Sequence, residues 1–344
     1  MILRPKPSPR HVATLAGATT TAPTATVPAW LSRAIPDAQS LAGKGVEDIA
    51  ITAGAAIGGL DAVVRRQERW AGAWRQRLAL AAAAVTARQA GRVEDESELR
   101  DAVLLARPGD ILSGSTTLGP AGLLLLAWRR LAARPAKELL TKKNLAAMLE
   151  EFGYAPDDEV LNDLADDLRQ FGASAGMVAT LTGTFMAAER YGFGRAVGAW
   201  LADVLLAQRL GWAHAVPLLG AEAAFGASAR PRRSAASFVA TSIETDSGGA
   251  KSLLAAQARA ALRAIDRSAE LGRRAEKLLA VAPKLRARAA DAVVEKLLSD
   301  DAIVASENIA GMSDRGMRRL FDRLVELGAV RELSGRATFR MYGL

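Results

Sequence analysis

The chain has 344 residues, half of them apolar, with 45 Lys+Arg against 37 Asp+Glu and a formal net charge of +8. That length holds one large or two modest domains, and that apolar share belongs to a chain that buries a core. With no cysteine and only His11 and His214, disulfides, thiolate zinc sites and cysteine nucleophiles are excluded, and His-based triads and His-rich metal centres are disfavoured.

No apolar run reaches the about 18 residues that a membrane-spanning helix needs; the longest candidates are 78–85 and 118–128. The N-terminal region lacks the continuous apolar core of a signal peptide, so a cytoplasmic protein without a membrane partner is expected. Residues 1–43 are rich in Pro, Thr, Ser and Ala and read as a flexible tail, with Trp30 packing its end onto the body. Residues 44–225 read as an all-helical domain. Apolar spacing and punctuation place helices near 45–66, 70–91, 95–106, 119–133, 141–152, 157–171, 174–190 and 193–210. Gly91, the Arg107-Pro108-Gly109-Asp110 turn, Gly119-Pro120, Gly153 and Gly211 fall between them. Trp70, Trp74, Trp128 and Trp200 are expected in the core rather than in a ligand cage. Arg65, Arg66, Arg69, Arg75 and Arg77 are expected to be solvated, as are the acids Asp157, Asp158, Glu159, Asp163, Asp166 and Asp167, which lack the spacing of a calcium loop. His214 has no identifiable catalytic partner.

Residues 226–250 are small and polar, include Arg230-Pro231-Arg232-Arg233 at their start, and read as a linker. Residues 245–252 lack both glycines of a P-loop, and 192–198 follow a helix rather than a strand, so no nucleotide cofactor is expected. Residues 251–282 form a long connecting helix. Leu254, Ala258, Ala261, Ile265, Gly272, Ala275 and Leu279 draw a narrow seam for one partner helix, within the chain or across a homodimer, with Arg259, Arg263, Arg267 and Arg274 outside it.

Residues 283–344 read as a winged helix-turn-helix. Two short helices, 289–298 and 300–306, lead to a tight turn at Gly311. Ser313 then caps an amphipathic helix, 314–327, with Met317, Leu320, Phe321, Leu324 and Val325 on its apolar face. Gly328 ends it, and a β-hairpin turns at Ser334-Gly335-Arg336, its returning strand burying Ala337, Phe339 and Met341. Glu307 stands where a small residue normally lets the two helices of the motif approach. Opposite the apolar stripe lie Arg315, Arg318, Arg319, Asp322, Arg323 and Glu326, and residues 314–327 as a whole carry four arginines against three acids. In a winged helix this face enters the major groove, where Arg315, Arg318 and Arg319 suit guanine edges. Arg336 at the wing, with Arg331 and Arg340 beside it, suits phosphate. The opposing reading is a face closed by ion pairs, since Arg318 stands four residues from both Asp314 and Asp322. The positive excess travels with this end: residues 230–344 carry 21 basic and 14 acidic side chains.

The stretches Gly311-Met312-Ser313-Asp314-Arg315, Arg319-Leu320-Phe321-Asp322-Arg323-Leu324, Leu327-Gly328-Ala329-Val330-Arg331-Glu332-Leu333 and the terminal 334–344 resemble the close of domain-of-unknown-function family 1403 of rhizobia and agrobacteria. Trp70-Ala71-Gly72-Ala73-Trp74, Leu99-Arg100-Asp101-Ala102, Arg107-Pro108-Gly109-Asp110 and Gly119-Pro120-Ala121-Gly122 extend that resemblance over residues 45–344. It implies a bacterial origin and no particular activity. The hairpin ending also resembles the winged helix that closes many Fic-domain proteins, although no Fic catalytic motif is present.

The expected architecture is therefore mainly α: a multi-helix body, a long connecting helix, and a C-terminal winged helix-turn-helix with a small β-hairpin. The expected function is non-enzymatic binding of double-stranded DNA, as a transcriptional or plasmid-associated regulator, through Arg315, Arg318, Arg319, Arg323, Arg336 and Arg340. The alternative is a helical scaffold whose winged helix docks a protein partner.

Overall fold

Alanine- and leucine-rich segments separated by glycine give this chain a helical architecture, because such segments favour helix and the glycines supply left-handed turns between them. The computed structural model describes residues 27–36, 40–105, 118–174, 176–222, 247–285, 289–335 and 339–344. Among the described residues the helices are α1 (Ala29–Ala34), α2 (Val46–Arg65), α3 (Ala71–Gln89), α4 (Glu96–Leu104), α5 (Gly119–Ala133), α6 (Lys142–Glu151), α7 (Asp158–Ser174), α8 (Met177–Arg190), α9 (Arg195–Leu210), α10 (Ser247–Val281), α11 (Ala290–Ser299) and α12 (Asp314–Glu326). The strands are β1 (Ile303–Val304), β2 (Arg331–Glu332) and β3 (Met341–Gly343). The chain is mainly α, as expected, and α2 to α9 fall within a few residues of the periods read from the sequence. Gly153 and Gly211 sit at φ 86° and 67°, which a residue with a Cβ adopts only with strain. Asp95 and Glu98 form a reciprocal capping box at the start of α4, satisfying backbone N–H groups that the first turn leaves open.

The core is built on α3 and α10. Ala79, Ala82, Ala83, Ala84 and Ala87 are all buried, which lets α5 approach α3 closely. Three tryptophans then tie helix to helix through their ring N–H groups. Trp74 donates to Ala264 O at 2.9 Å, Trp128 to Thr86 Oγ1 at 3.0 Å and Trp200 to Ala127 O at 3.0 Å. Each removes about 150–250 Å² from water, an upper bound of roughly 4–6 kcal/mol per side chain. Helix α10 lies chiefly along α2, so its partner is within the chain. Its buried face is much broader than the narrow seam expected: Leu253, Ala255, Ala256, Ala260, Leu262 and Ala264 are buried as well as Leu254, Ala258, Ala261 and Ile265. Arg259 and Arg263 reach the buried Glu222, which counters their charge at the flank of this core helix.

Several local expectations are overturned. Residues 29–34 are helical, and Leu31, 4% exposed, is the anchor, whereas Trp30 is 55% exposed. Arg77 is buried and Arg75 is half-buried, so neither is a fully solvated arginine. No helix forms over 300–306. Ala302, Ile303, Val304 and Ala305 are buried in succession, a pattern that suits a strand covered on both faces, and Ile303 pairs with Tyr342 and Val304 with Met341. The helix-turn-helix therefore lacks its middle helix; an irregular loop over 305–313 takes its place. Glu307 sits on that loop, 3.0 Å from Lys296, and disturbs no helix approach. The linker expected at 226–250 lies almost wholly outside the described residues, as does the Arg230–Arg233 cluster.

The sheet is antiparallel in the order β1-β3-β2. Met341, Tyr342, Gly343 and Leu344 are all buried, because β3 is covered on one side by α12 and on the other by the helical body. Phe321 of α12 stacks on Tyr342 with centroids 4.3 Å apart and planes 4° from parallel. On the body side Arg77 and Arg274 donate to Leu344 O, each at 3.2 Å. Asp301, just before β1, is held by Arg77 and by Arg100, whose Nε donates to it at 2.6 Å. A buried carboxylate between two buried guanidiniums thus pins the C-terminal segment to α3 and α4.

Candidate nucleic-acid interface

Helix α12 begins at Ser313, whose hydroxyl accepts from Gly316 N at 3.2 Å. Met317, Leu320, Phe321 and Leu324 are buried against the sheet, which turns the opposite face outward. Arg315, Arg318, Arg319, Asp322, Arg323 and Glu326 are all exposed. Val325, expected on the apolar face, is 40% exposed; it lies at the border of a stripe narrower than the spacing implied.

The pairing of these charges decides what the face can do. Arg323 is bound to Glu326 at 2.6 Å, and Arg340 stands 3.9 Å from both Asp322 and Glu332. Tyr342, Glu332 and Asp322 together hold the Arg340 guanidinium above its ordinary pKa. Arg315, Arg318 and Arg319 have no ion pair or side-chain hydrogen bond among the described residues. The four-residue spacing of Arg318 from Asp314 and Asp322 is thus not used. Three uncompensated guanidiniums stand on the first two turns of a helix whose N-terminus is itself the positive end of its dipole. Arg331 adds an exposed cation on β2. Arg336 lies outside the described residues, as does Ala337.

Two features of this region were not visible in the sequence. Phe339, expected inside the hairpin, is 62% exposed at φ 58°; the left-handed backbone turns it outward and β3 begins only at Met341. A concave apolar surface of about 390 Å³ lies beside α12, lined by Leu285, Leu320 and Leu327 and rimmed by Lys284, Arg319 and Arg323. No periodicity marks it, since Leu285 comes from the turn that follows α10.

Elsewhere the acids of α7 serve as caps and ion-pair partners: Asp157 accepts from Val160 N at 2.9 Å, and Asp167 binds Arg190 at 2.9 Å and the Tyr191 hydroxyl at 3.0 Å. Asp203 is fully buried and accepts from Leu218 N at 2.7 Å and Leu219 N at 3.2 Å. Burial pushes its carboxyl well above the usual range against the pull of those two bonds, and the bonds themselves organise the loop that follows α9. Among the described residues no helix is long and apolar enough to cross a membrane.

Comparison with curated proteins and with solved structures gives no match for this chain. One family profile, described as "Protein of unknown function (DUF1403)", matches residues 16–344. That match takes in the helical body and the C-terminal sheet alike, and the chain belongs to this family.

Proposed function

We propose that this protein binds double-stranded DNA without enzymatic chemistry, presenting α12 to the major groove and the β2–β3 edge to the backbone in the manner of a winged helix. The observation that carries this reading is the set of three arginines, Arg315, Arg318 and Arg319, without an ion-pair partner among the described residues and on the exposed face of a capped helix. Its strand order, with β3 between β1 and β2, is compatible with a wing. The missing middle helix is a departure from the motif, and the clamp of Asp301 by Arg77 and Arg100 supplies the rigidity that a helix-turn-helix obtains from its second helix. The cytoplasm is the compartment that fits such a role. An electrophoretic mobility assay on mixed-sequence duplex tests this. The intact chain shifts the duplex at low salt, and Arg315→Ala/Arg318→Ala/Arg319→Ala does not; a triple variant with undiminished affinity overturns the reading.

A second reading makes the same surface a protein-docking site, and the apolar groove between Leu285, Leu320 and Leu327 favours it. In that case a partner captured from the native host survives nuclease digestion of the extract, and Leu327→Glu releases it. A capture that nuclease abolishes returns the assignment to DNA.

A further inference from the structure

Where the α2–α3 turn meets the loop after α9, the fold leaves an open cleft of about 450 Å³. Its walls come from four places: the turn itself, residues 211–216, Ser268 of α10 and Ser299 at the end of α11. Gly72 makes the last contact close, because a Cβ there would lie 2.7 Å from Ser299 Cα. Its volume is that of a small-molecule site, and its lining mixes apolar side chains, among them Trp70, Trp212, Val64 and Val216, with charged and polar ones.

The charge inventory of this cleft is unbalanced in one place. Arg65 is bound by Asp61 at 2.8 Å and donates to Leu210 O, and Arg69 is bound by Glu295. Arg75 has no carboxylate partner among the described residues; its Nε donates only to Ala132 O at 2.9 Å. Glu68 also lines the cleft, but no carboxylate acts on the charge of Arg75. Burial lowers the Arg75 pKa to about 10, so the group is still charged at neutral pH. The neighbouring His214 is held below its ordinary pKa by burial and then by the charge of Arg75. Trp70 and Trp212 complete the walls. The indole N–H of Trp212 is taken by Asp61 at 2.8 Å, whereas that of Trp70 is buried without an acceptor. Arg75 is thus a half-buried cation at this cleft for which the described residues supply no carboxylate, and such a group favours an anionic ligand.

We propose that this cleft binds a small organic anion, a carboxylate with a flat apolar body, its charge on Arg75 and its body between Trp70, Trp212 and the side chains of Val64 and Val216. The site is independent of the α12 surface and stands or falls without it.

Isothermal titration calorimetry on the full chain, with 2-naphthoate and its uncharged analogue 2-naphthamide as probes, tests the proposal. Naphthoate binds at least about tenfold more tightly than the amide, and Arg75→Gln removes that preference while leaving the amide unaffected. A second readout needs no variant. His214 is one of only two histidines, so its imidazole signals are assignable by NMR, and its titration midpoint rises when naphthoate is bound because the anion offsets the charge of Arg75. Equal affinity for the two probes, undiminished naphthoate binding by a folded Arg75→Gln, or a His214 midpoint that does not move each overturns the proposal, and so does the absence of binding by either probe at millimolar concentration.

Discussion

Asp301→Asn removes one negative charge from a place where two positive ones are buried with it. Asp301 is 2% exposed, Arg77 9% and Arg100 6%, so neither guanidinium can turn to water without moving β1 or α3. Breaking a buried pair costs about 3–5 kcal/mol, chiefly because the remaining charge stays desolvated. With an unfolding entropy near 2.1 cal/mol/K per residue, 344 residues give about 0.7 kcal/mol/K, and the expected fall in Tm is about 4–7 °C. Far-UV circular dichroism during thermal unfolding measures it, and hydrogen exchange locates it, with β1 and β3 losing protection before α10. The pH dependence follows from the same charges. Burial alone would raise the Asp301 carboxyl, but the Arg77 and Arg100 guanidiniums outweigh it and hold it below its ordinary value. Its contribution is therefore fully present above the unfolded pKa of about 3.9 and is lost as pH falls through the lower folded value. Wild type and variant converge on acidification. A variant melting within about 1 °C of wild type at neutral pH would refute the clamp, since that corresponds to less than 1 kcal/mol.

Asp203 carries the opposite sign. Its raised folded pKa means that the unfolded chain loses the proton first, so this group costs stability as pH rises above about 3.9. Asp203→Asn keeps an acceptor for Leu218 N and Leu219 N and does not titrate; its urea midpoint gains on wild type as pH rises above the unfolded value of about 3.9, and a constant offset would contradict the assignment. Gly220→Ala places a Cβ 2.3 Å from the Trp128 ring and 2.9 Å from Ala82 Cβ. Overpacking of that kind costs about 1–3 kcal/mol or more and perturbs tryptophan emission, whereas wild-type stability would mean that Trp128 is free to move. Gly72→Ala drives a Cβ into the Ser299 backbone, and exchange in α11 is expected to quicken while α9 is unchanged.

Most of the helical body was legible in the sequence because its signals are local. Gly153 and Gly211 end helices by their own backbone preference, and Asp95 with Glu98 starts one within four residues. The sheet was less legible. Ile303 and Val304 read as helix because a short apolar run fits either period, and the partner that decides, Tyr342, is remote in sequence. The fate of charges was hidden for the same reason: nothing near Arg77 marks it as the mate of Asp301, and nothing near Arg75 marks it as unpaired. At the α12 surface the arginines were found by projection onto a helix, but that Arg318 leaves Asp314 and Asp322 unused depends on side-chain geometry that spacing cannot fix. Phe339 was misplaced because the alternation of a strand was carried two residues too far into the turn.

The central claim is that Arg315, Arg318 and Arg319 of α12 meet DNA, and the salt dependence of binding tests it most directly. Fluorescence anisotropy on a labelled duplex, over a series of salt concentrations, gives the slope of log affinity against log salt. Each phosphate contact contributes about 0.9 to that slope, so replacing all three arginines by alanine lowers it by up to about 2.7 if each meets phosphate, and by less where one reads a base instead. A clear loss of slope together with affinity is the predicted result. No binding by the wild-type chain at low salt, or a triple variant with both slope and affinity unchanged, would contradict it.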